Sequence, residues 1–388
     1  MLTQVHEKPT AYREVAARRK LAPQVLPVAV PDPRRVAVVL NRNAKRVTDR
    51  LALRIERLVG SDHLFFSRSL DEAEEFTREI VHRGYGTVIC GGGDGTLFRT
   101  YNLLKQYIDE SNAWRIQRYE RFGDVQSLLS SPRFAFLRLG TGNALCSIVG
   151  AGDPIEDVRR MIDYQPCRTV DVPLIDDGHE RCMFAGIGYD SLILNDFKWL
   201  CNYVKSPFLK PFTHGLLGYL TAIFCRTAPR ILMGRVPKIN ARVVNVGKAY
   251  YVDPRRGDAV EEIESGTTIF EGSAGMIGAA TTPFFGFNLK VYPFARMMPD
   301  MMHLRVTCTG PVKVLSHLHS LWCGSLRDPA GLFDFLVEDV RVTLSSPYPY
   351  QRSGDALGDI GELHLRMSGD SLQLVDMHPA RRFSAQLD

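Results

Sequence analysis

The stretch "TVICGGGDGTLFRTYNLL", residues 87–104, joins an apolar β-type run to a helix-like run through three glycines, an aspartate and a fourth glycine. Glycine loses more backbone entropy on being fixed than any other residue. Four in five positions therefore imply that something approaches the main chain closely, or that the chain turns where a Cβ would clash. A strand that ends in glycines and opens a helix offers first-turn N–H groups as a cradle for an anion. Gly91, Gly92, Gly93, Gly95 and Thr96 are the residues of that cradle, with Asp94 inside it. A carboxylate beside arriving phosphates is repulsive unless a cation or a proton transfer is involved. Asp94 thus points to Mg²⁺ or acid–base chemistry; its structural alternative is a helix N-cap.

The surroundings repeat the unit. An apolar run at 36–40, a short strand at 63–66 with a helix from Leu70, the strand of the glycine stretch, a helix with Leu97, Tyr101 and Leu104 on one stripe, and a strand in "RFAFLRL" alternate in order. Strand alternating with helix predicts a doubly wound parallel α/β sheet. Residues 110–133 read as an inserted helix and loop. A second glycine turn, "LGTGNAL" at 139–145, follows the last of these strands and adds Gly140, Thr141, Gly142 and Asn143 to the same edge, where ligands of such sheets bind. No P-loop motif is present, and neither turn completes the dinucleotide fingerprint.

From residue 166 the character changes to short β-type runs at 181–185, 239–245, 267–270, 303–309, 340–344 and 362–367, interrupted by a helical stretch at 195–229. These predict an antiparallel β-sandwich domain. The expected organisation is a flexible leader over 1–34, an α/β domain over 35–165 completed by 378–388, and a β-rich domain over 166–377, with a cleft between them. Eight cysteines without a CxxC pair read as reduced thiols of a cytoplasmic protein. His317 and His319 have no further metal ligand in a suitable spacing. The longest uncharged apolar stretch, 215–225, falls far short of the ~20 residues a spanning helix needs.

"GGGDGT" followed by "LGTGN" resembles the diacylglycerol kinase catalytic-domain family, which includes bacterial lipid kinases, sphingosine and ceramide kinases and, more distantly, NAD kinases. "FAGIGYDSLI", "GYLTAIF", the segment 284–306 and "YQRSGDALGD" support the resemblance over residues 35–377. It implies ATP in the interdomain cleft, Mg²⁺, and phosphorylation of a lipid hydroxyl. Carried over by position, Gly92 to Thr96 match the nucleotide loop, and Thr141 and Asn143 the second loop. Asn41 and Ser67 match polar residues that end the first two strands. Asp355 matches the family's base for the acceptor hydroxyl, and Asp300 an aspartate that holds a structural Mg²⁺. The chain departs from the family pattern at Phe98 and Arg99 in place of Asn-Glu, at Ala144, and at Ser353.

The net charge of +5 is modest, but its placement is not even. Residues 196–250 carry nine basic side chains against one acid, Asp196, interleaved with Phe197, Trp199, Tyr203, Phe208, Phe212, Leu216 and Leu217. Aromatic groups suit a headgroup layer, and each cation near an anionic leaflet contributes ~1 kcal/mol. The expectation is a peripheral membrane enzyme with a lipid substrate and no nucleic-acid partner. The acceptor is a diacylglycerol-like glycerolipid or a sphingoid base or ceramide. The alternatives are a soluble NAD kinase and a nucleotide- and lipid-binding sensor with weak turnover.

Overall fold

The computed structural model describes residues 26–378, apart from 45, 68, 141–143, 166, 205–209, 214, 287 and 329. The expected leader lies outside the described residues as far as residue 25. The strands Leu64–Ser67, Asp32–Asn41, Tyr85–Gly92 and Arg133–Arg138 pair parallel in that order. The pleat sends alternate side chains to opposite faces. Ala37, Val39, Val88, Cys90, Phe134 and Phe136 meet Ile80 of the helix Leu70–His82 and Leu97, Tyr101 and Leu104 of the helix Asp94–Phe122. Val36, Val38, Leu40, Ile89, Ala135 and Leu137 meet Ala52 and Ile55 of the helix Asp49–Val59 and Val158 and Met161 of the helix Pro154–Ile162. Helices cover both faces, which is why these strands read as unbroken apolar runs. Some helices of this part start on side-chain caps: the oxygens of Thr48, Ser69 and Asp153 accept first-turn amides.

The chain is mixed α/β, and its main sheet does not stop at the parallel part. The strand Asp355–Asp376 adds to it at Leu374 opposite Phe134, in parallel, while pairing antiparallel with Arg168–Asp176 and Asp339–Arg352. From there the path runs through Phe184–Gly188, Met276–Ala280, Met302–Thr307, Leu332–Val337, Ala249–Val252 and Ala259–Ile263. One 16-stranded sheet therefore links the two parts. A second core gathers Ile187, Ile277, Leu304, Phe335, Val340 and Leu365. The tail expected to complete the parallel part lies outside the described residues beyond His378; the residue that joins that sheet is Leu374.

Local signals misjudge several lengths. The runs expected at 340–344 and 362–367 lie inside strands of 14 and 22 residues. The Pro- and Ser-rich stretch between them reads as loop, yet pairing resumes at Tyr348 opposite Ile360 after an irregularity that takes up Pro347. Residues 110–122, expected as the helix of an inserted segment, continue one 29-residue helix that starts at Asp94 and closes on left-handed Gly123. Its far half is held by the buried Lys105–Asp109 pair and by Asn112, which bonds both backbone groups of Leu129. The helical stretch expected at 195–229 begins at Tyr189 and is broken into Tyr189–Tyr203, Lys210–Thr213, Gly215–Ala222, a π turn Ile223–Thr227 and Ala228–Leu232. Two short helices, Pro311–Ser316 and Leu318–Cys323, were not anticipated.

Candidate active site

Parallel strands bring their carboxyl ends to one edge. Register places Asn41 beside Ser67, Leu40 beside Gly91 and Gly92 beside Arg138. Gly93 caps the helix Asp94–Phe122 with no side-chain acceptor, so first-turn N–H groups face the space beyond the sheet. Asn41 Nδ2 donates to Thr96 Oγ1 at 3.1 Å, and Asn41 Oδ1 accepts from the Asn43 amide at 2.9 Å. A Cβ on Gly92 would lie 2.3 Å from Thr96 Oγ1, so a bare main chain at 92 is what lets this hydroxyl fold back over the strand end.

Asp94 is the first helical residue, not the cap, and its carboxylate turns towards the second glycine turn. Oδ2 accepts the Ala144 amide at 2.8 Å and Oδ1 the Leu145 amide at 3.1 Å. The two glycine turns, fifty residues apart in the chain, are tied by one side chain. Burial pushes its pKa up to about 6, against the pull of the two amides and with Asp355 adding to the rise. A protonated carboxyl has less acceptor capacity for two amides. Affinity for a phosphate ligand is expected to fall as pH drops through that value. Asp94→Asn should bind weakly across the range and keep only the inflection of the ligand's own phosphate, whose second pKa is about 6, which calorimetric titration reads directly.

Asp355 comes from the other end of the chain. It follows a two-residue hairpin turn at Ser353 and Gly354, whose φ values of 46° and 85° are the left-handed pair that such turns require. The Ser353 amide donates to Phe184 O and the Gly354 amide to Gln351 Oε1. Arg352 grips Asp177 and Glu180 at 2.7 and 2.9 Å, and Glu180 also holds Arg99 of the Asp94 helix at 2.9 Å. So anchored, the Asp355 carboxylate lies over the helix start: a Cβ on Gly95 would stand 2.7 Å from Asp355 Oδ2.

Two cavities meet there. A polar one of about 790 Å³ is lined by Asn41, Ser67, Thr96, Arg99 and Gly140 together with Gly93, Gly95, Lys198 and Asp355. An apolar one of about 400 Å³ runs between the helix Tyr189–Tyr203 and the helices over 311–323. Its walls include Leu194, Phe197, Leu220, Leu315, Leu318 and Trp322, and it shares Gly93, Gly95, Lys198 and Asp355 with the first.

Asn41, Ser67, Gly93, Asp94, Gly95, Thr96, Gly140 and Asp355 thus lie together around the two cavities. Gly91 and Gly92 belong to the strand end and line neither cavity. Thr141, Gly142 and Asn143 lie outside the described residues. Asp300 sits apart from both cavities, exposed in a turn at φ 58°. Among the described residues no three His, Cys, Asp or Glu side chains form a metal-holding group. Among the described residues the polar cavity offers a divalent ion one carboxylate, Asp355, too few for an all-protein cage but enough for an Mg²⁺ ion held mainly by nucleotide phosphates. The sequence reading missed the helices over 311–323 as a cavity wall, although Leu315, Leu318, Leu321 and Trp322 have helical spacing.

Residues 35–174 match the family model described as the diacylglycerol kinase catalytic domain. No curated protein matches the sequence. A structure described as a diacylglycerol kinase from Bacillus anthracis str. Sterne superposes with a TM-score of 0.56 at 13% identity, over 90% of this chain and 98% of that one. Another from the same organism, described as a candidate diacylglycerol kinase, gives 0.56 at 14% identity over 89% and 98%. At such identities the likeness is one of fold. By the family match, residues 35–174 belong to the diacylglycerol kinase catalytic-domain family.

Proposed function

We propose that the protein is an ATP-dependent lipid kinase that transfers the γ-phosphate to a lipid hydroxyl at a membrane surface. The observation that carries this reading is the seam: a polar cavity at a helix N-terminus and an apolar cavity share Asp355. The polar cavity suits a nucleotide, whose phosphates meet the first-turn amides beside Gly93 and Gly95. The apolar cavity suits an acyl or sphingoid chain, with its hydroxyl at the neck. Phosphoryl transfer asks for positioning and charge neutralisation more than for covalent chemistry. Asp355 is the one carboxylate facing both sides, and in this reading it accepts the acceptor's proton. Asp94, with both oxygens on amides, holds the two glycine turns together. Mg²⁺ has a single carboxylate to meet, so it enters this reading as the counter-ion of ATP.

The membrane surface in this reading is apolar first and basic second. Trp199, Tyr203, Phe212, Leu217, Phe224, Leu232 and Met233 are all exposed around the apolar cavity's helices. Two of the nine basic residues are not free to meet lipid: Arg226 and Arg230 both bond buried Asp196 at 2.7 Å, and Arg226 stacks on Trp199 at 3.7 Å. Lys205 lies outside the described residues. No helix among the described residues is long and apolar enough to cross a membrane. Flotation with neutral liposomes is expected to retain binding, strengthened by anionic lipid. Loss of all binding on neutral vesicles would make charge the main attraction.

Incubation with γ-labelled ATP and a total lipid extract, with mass identification of the product, tests the reading. A labelled phospholipid or sphingolipid phosphate is expected. Labelling of NAD alone would establish the soluble-kinase alternative, which the apolar cavity argues against. ATP binding without transfer to any acceptor would establish the sensor.

A further inference from the structure

The polar cavity has the reverse of the charge that a carboxylate-rich metal site needs. Its ionisable lining, among the described residues, is Arg99, Lys198 and Asp355, two cations to one carboxylate. Arg99 stands one helical turn after Gly95, on the same face of the helix that cradles the anion. Its guanidinium is oriented from behind, with Nη1 on Glu180 Oε1 at 2.9 Å and Glu180 Oε2 on Arg352 Nη2 at 2.9 Å. Arg99 Nε is a buried donor with no acceptor. Such a donor normally finds a partner.

Lys198 arrives from the opposite side. It belongs to the helix Tyr189–Tyr203, whose Ile193, Leu194 and Phe197 wall the apolar cavity, and of that helix only Lys198 also lines the polar one. The helix is fixed by Asp196, which turns inward and accepts from Arg226, Thr227 and Arg230. Lys198 itself is exposed. The helix that walls the apolar cavity thus brings one cation, Lys198, to the lining that both cavities share with Asp355.

We propose that Arg99 and Lys198 form a two-sided cationic clamp on the terminal phosphates of a nucleoside triphosphate, so that protein cations take the charge that carboxylate-held metal would otherwise neutralise. The clamp rests on the reading of the polar cavity as the ATP site. During transfer the acceptor oxygen bonds to the γ-phosphorus, and the bond from that phosphorus to the β–γ bridging oxygen breaks with its electron pair leaving on ADP. The acceptor's proton passes to Asp355. Arg99 and Lys198 keep their protons and bear on the non-bridging oxygens, Arg99 through a planar fork and Lys198 as a point charge.

Calorimetric titration of the full chain with ATP and with ADP, each in EDTA and in excess Mg²⁺, tests the clamp. The wild type is expected to bind ATP in EDTA within about tenfold of its affinity in Mg²⁺. Lys198→Gln, at an exposed position, is expected to weaken ATP by about tenfold, the scale of one lost charge-assisted hydrogen bond, and ADP far less. Arg99→Gln is expected to weaken both nucleotides, with thermal melting showing whether the loss of the Glu180 contact loosens the fold. ATP binding that vanishes in EDTA, or a Lys198→Gln variant that discriminates ATP from ADP as the wild type does, would overturn the clamp and leave the ATP site standing. A wild type that binds neither nucleotide in either buffer would overturn the proposed function itself.

Discussion

Asp355→Asn is expected to lower lipid phosphorylation by about 10²–10⁴-fold, the usual contribution of a positioned general base, while ATP affinity stays within a few-fold of the wild type. The asymmetry follows from position. Asp355 faces both cavities but lies at the end of a hairpin whose hold comes from its neighbours, through Arg352 on Asp177 and Glu180 and through the Ser353 and Gly354 amides. An amide in its place keeps the size of the side chain and loses the proton acceptor. Removal of one negative charge beside the phosphates even favours nucleotide binding slightly. Equal turnover in this variant and the wild type would take Asp355 out of the mechanism.

Gly95→Ala is expected to separate stability from activity. Gly95 is the second residue of the helix Asp94–Phe122, where alanine keeps part of the roughly 1 kcal/mol advantage over glycine that it has in a helix interior. Gly95 has an ordinary helical backbone, since its φ is not among the positive ones. A modest rise in melting temperature should follow. The new methyl group would, however, stand 2.7 Å from Asp355 Oδ2 and must push the carboxylate off the helix start. A displacement of about 1 Å at a reacting group costs on the order of 10²-fold in rate. The expected variant is therefore more stable and about a hundredfold slower. Unchanged turnover would mean that the carboxylate's contact with Gly95 is incidental.

What the sequence makes legible is what is local. The glycine turn, its strand and the start of its helix are set by residues within twenty positions of one another, and the alternation of such units fixes the parallel arrangement and the edge where its strands end. Asn41 and Ser67 fall on that edge because they end neighbouring parallel strands. The role of Asp94 is not legible, because its partners Ala144 and Leu145 are reached only once two separate turns are packed side by side. The mixed charge of 196–250 likewise hides four different fates. Arg226 and Arg230 turn inward to Asp196, Lys198 lines the polar cavity, Phe197 walls the apolar one, and Trp199, Tyr203 and Phe212 remain outside. Charge and hydropathy along a chain do not say which face each side chain takes. Strand length fails for a related reason: the hairpin over 339–376 is extended by pairing partners that no local window contains.

The departures at Phe98 and Arg99 take on meaning in the same way. Phe98 is buried in the core under the parallel sheet, where an aromatic ring packs and an asparagine would need partners. Arg99 reverses a charge at the cavity and links it, through Glu180 and Arg352, to the turn that carries Asp355. A substitution that looks like the loss of a carboxylate, Arg99, is in this fold part of a connected ion-pair chain between the helix start and the hairpin.

The most direct test is a crystal structure of the full chain with a non-hydrolysable ATP analogue and a lipid alcohol together. The account predicts the triphosphate against the amides beside Gly93 and Gly95, the chain between Leu194 and Leu318, and the hydroxyl within hydrogen-bond reach of Asp355. A nucleotide bound away from these amides, or a lipid whose hydroxyl lies far from Asp355, would contradict it.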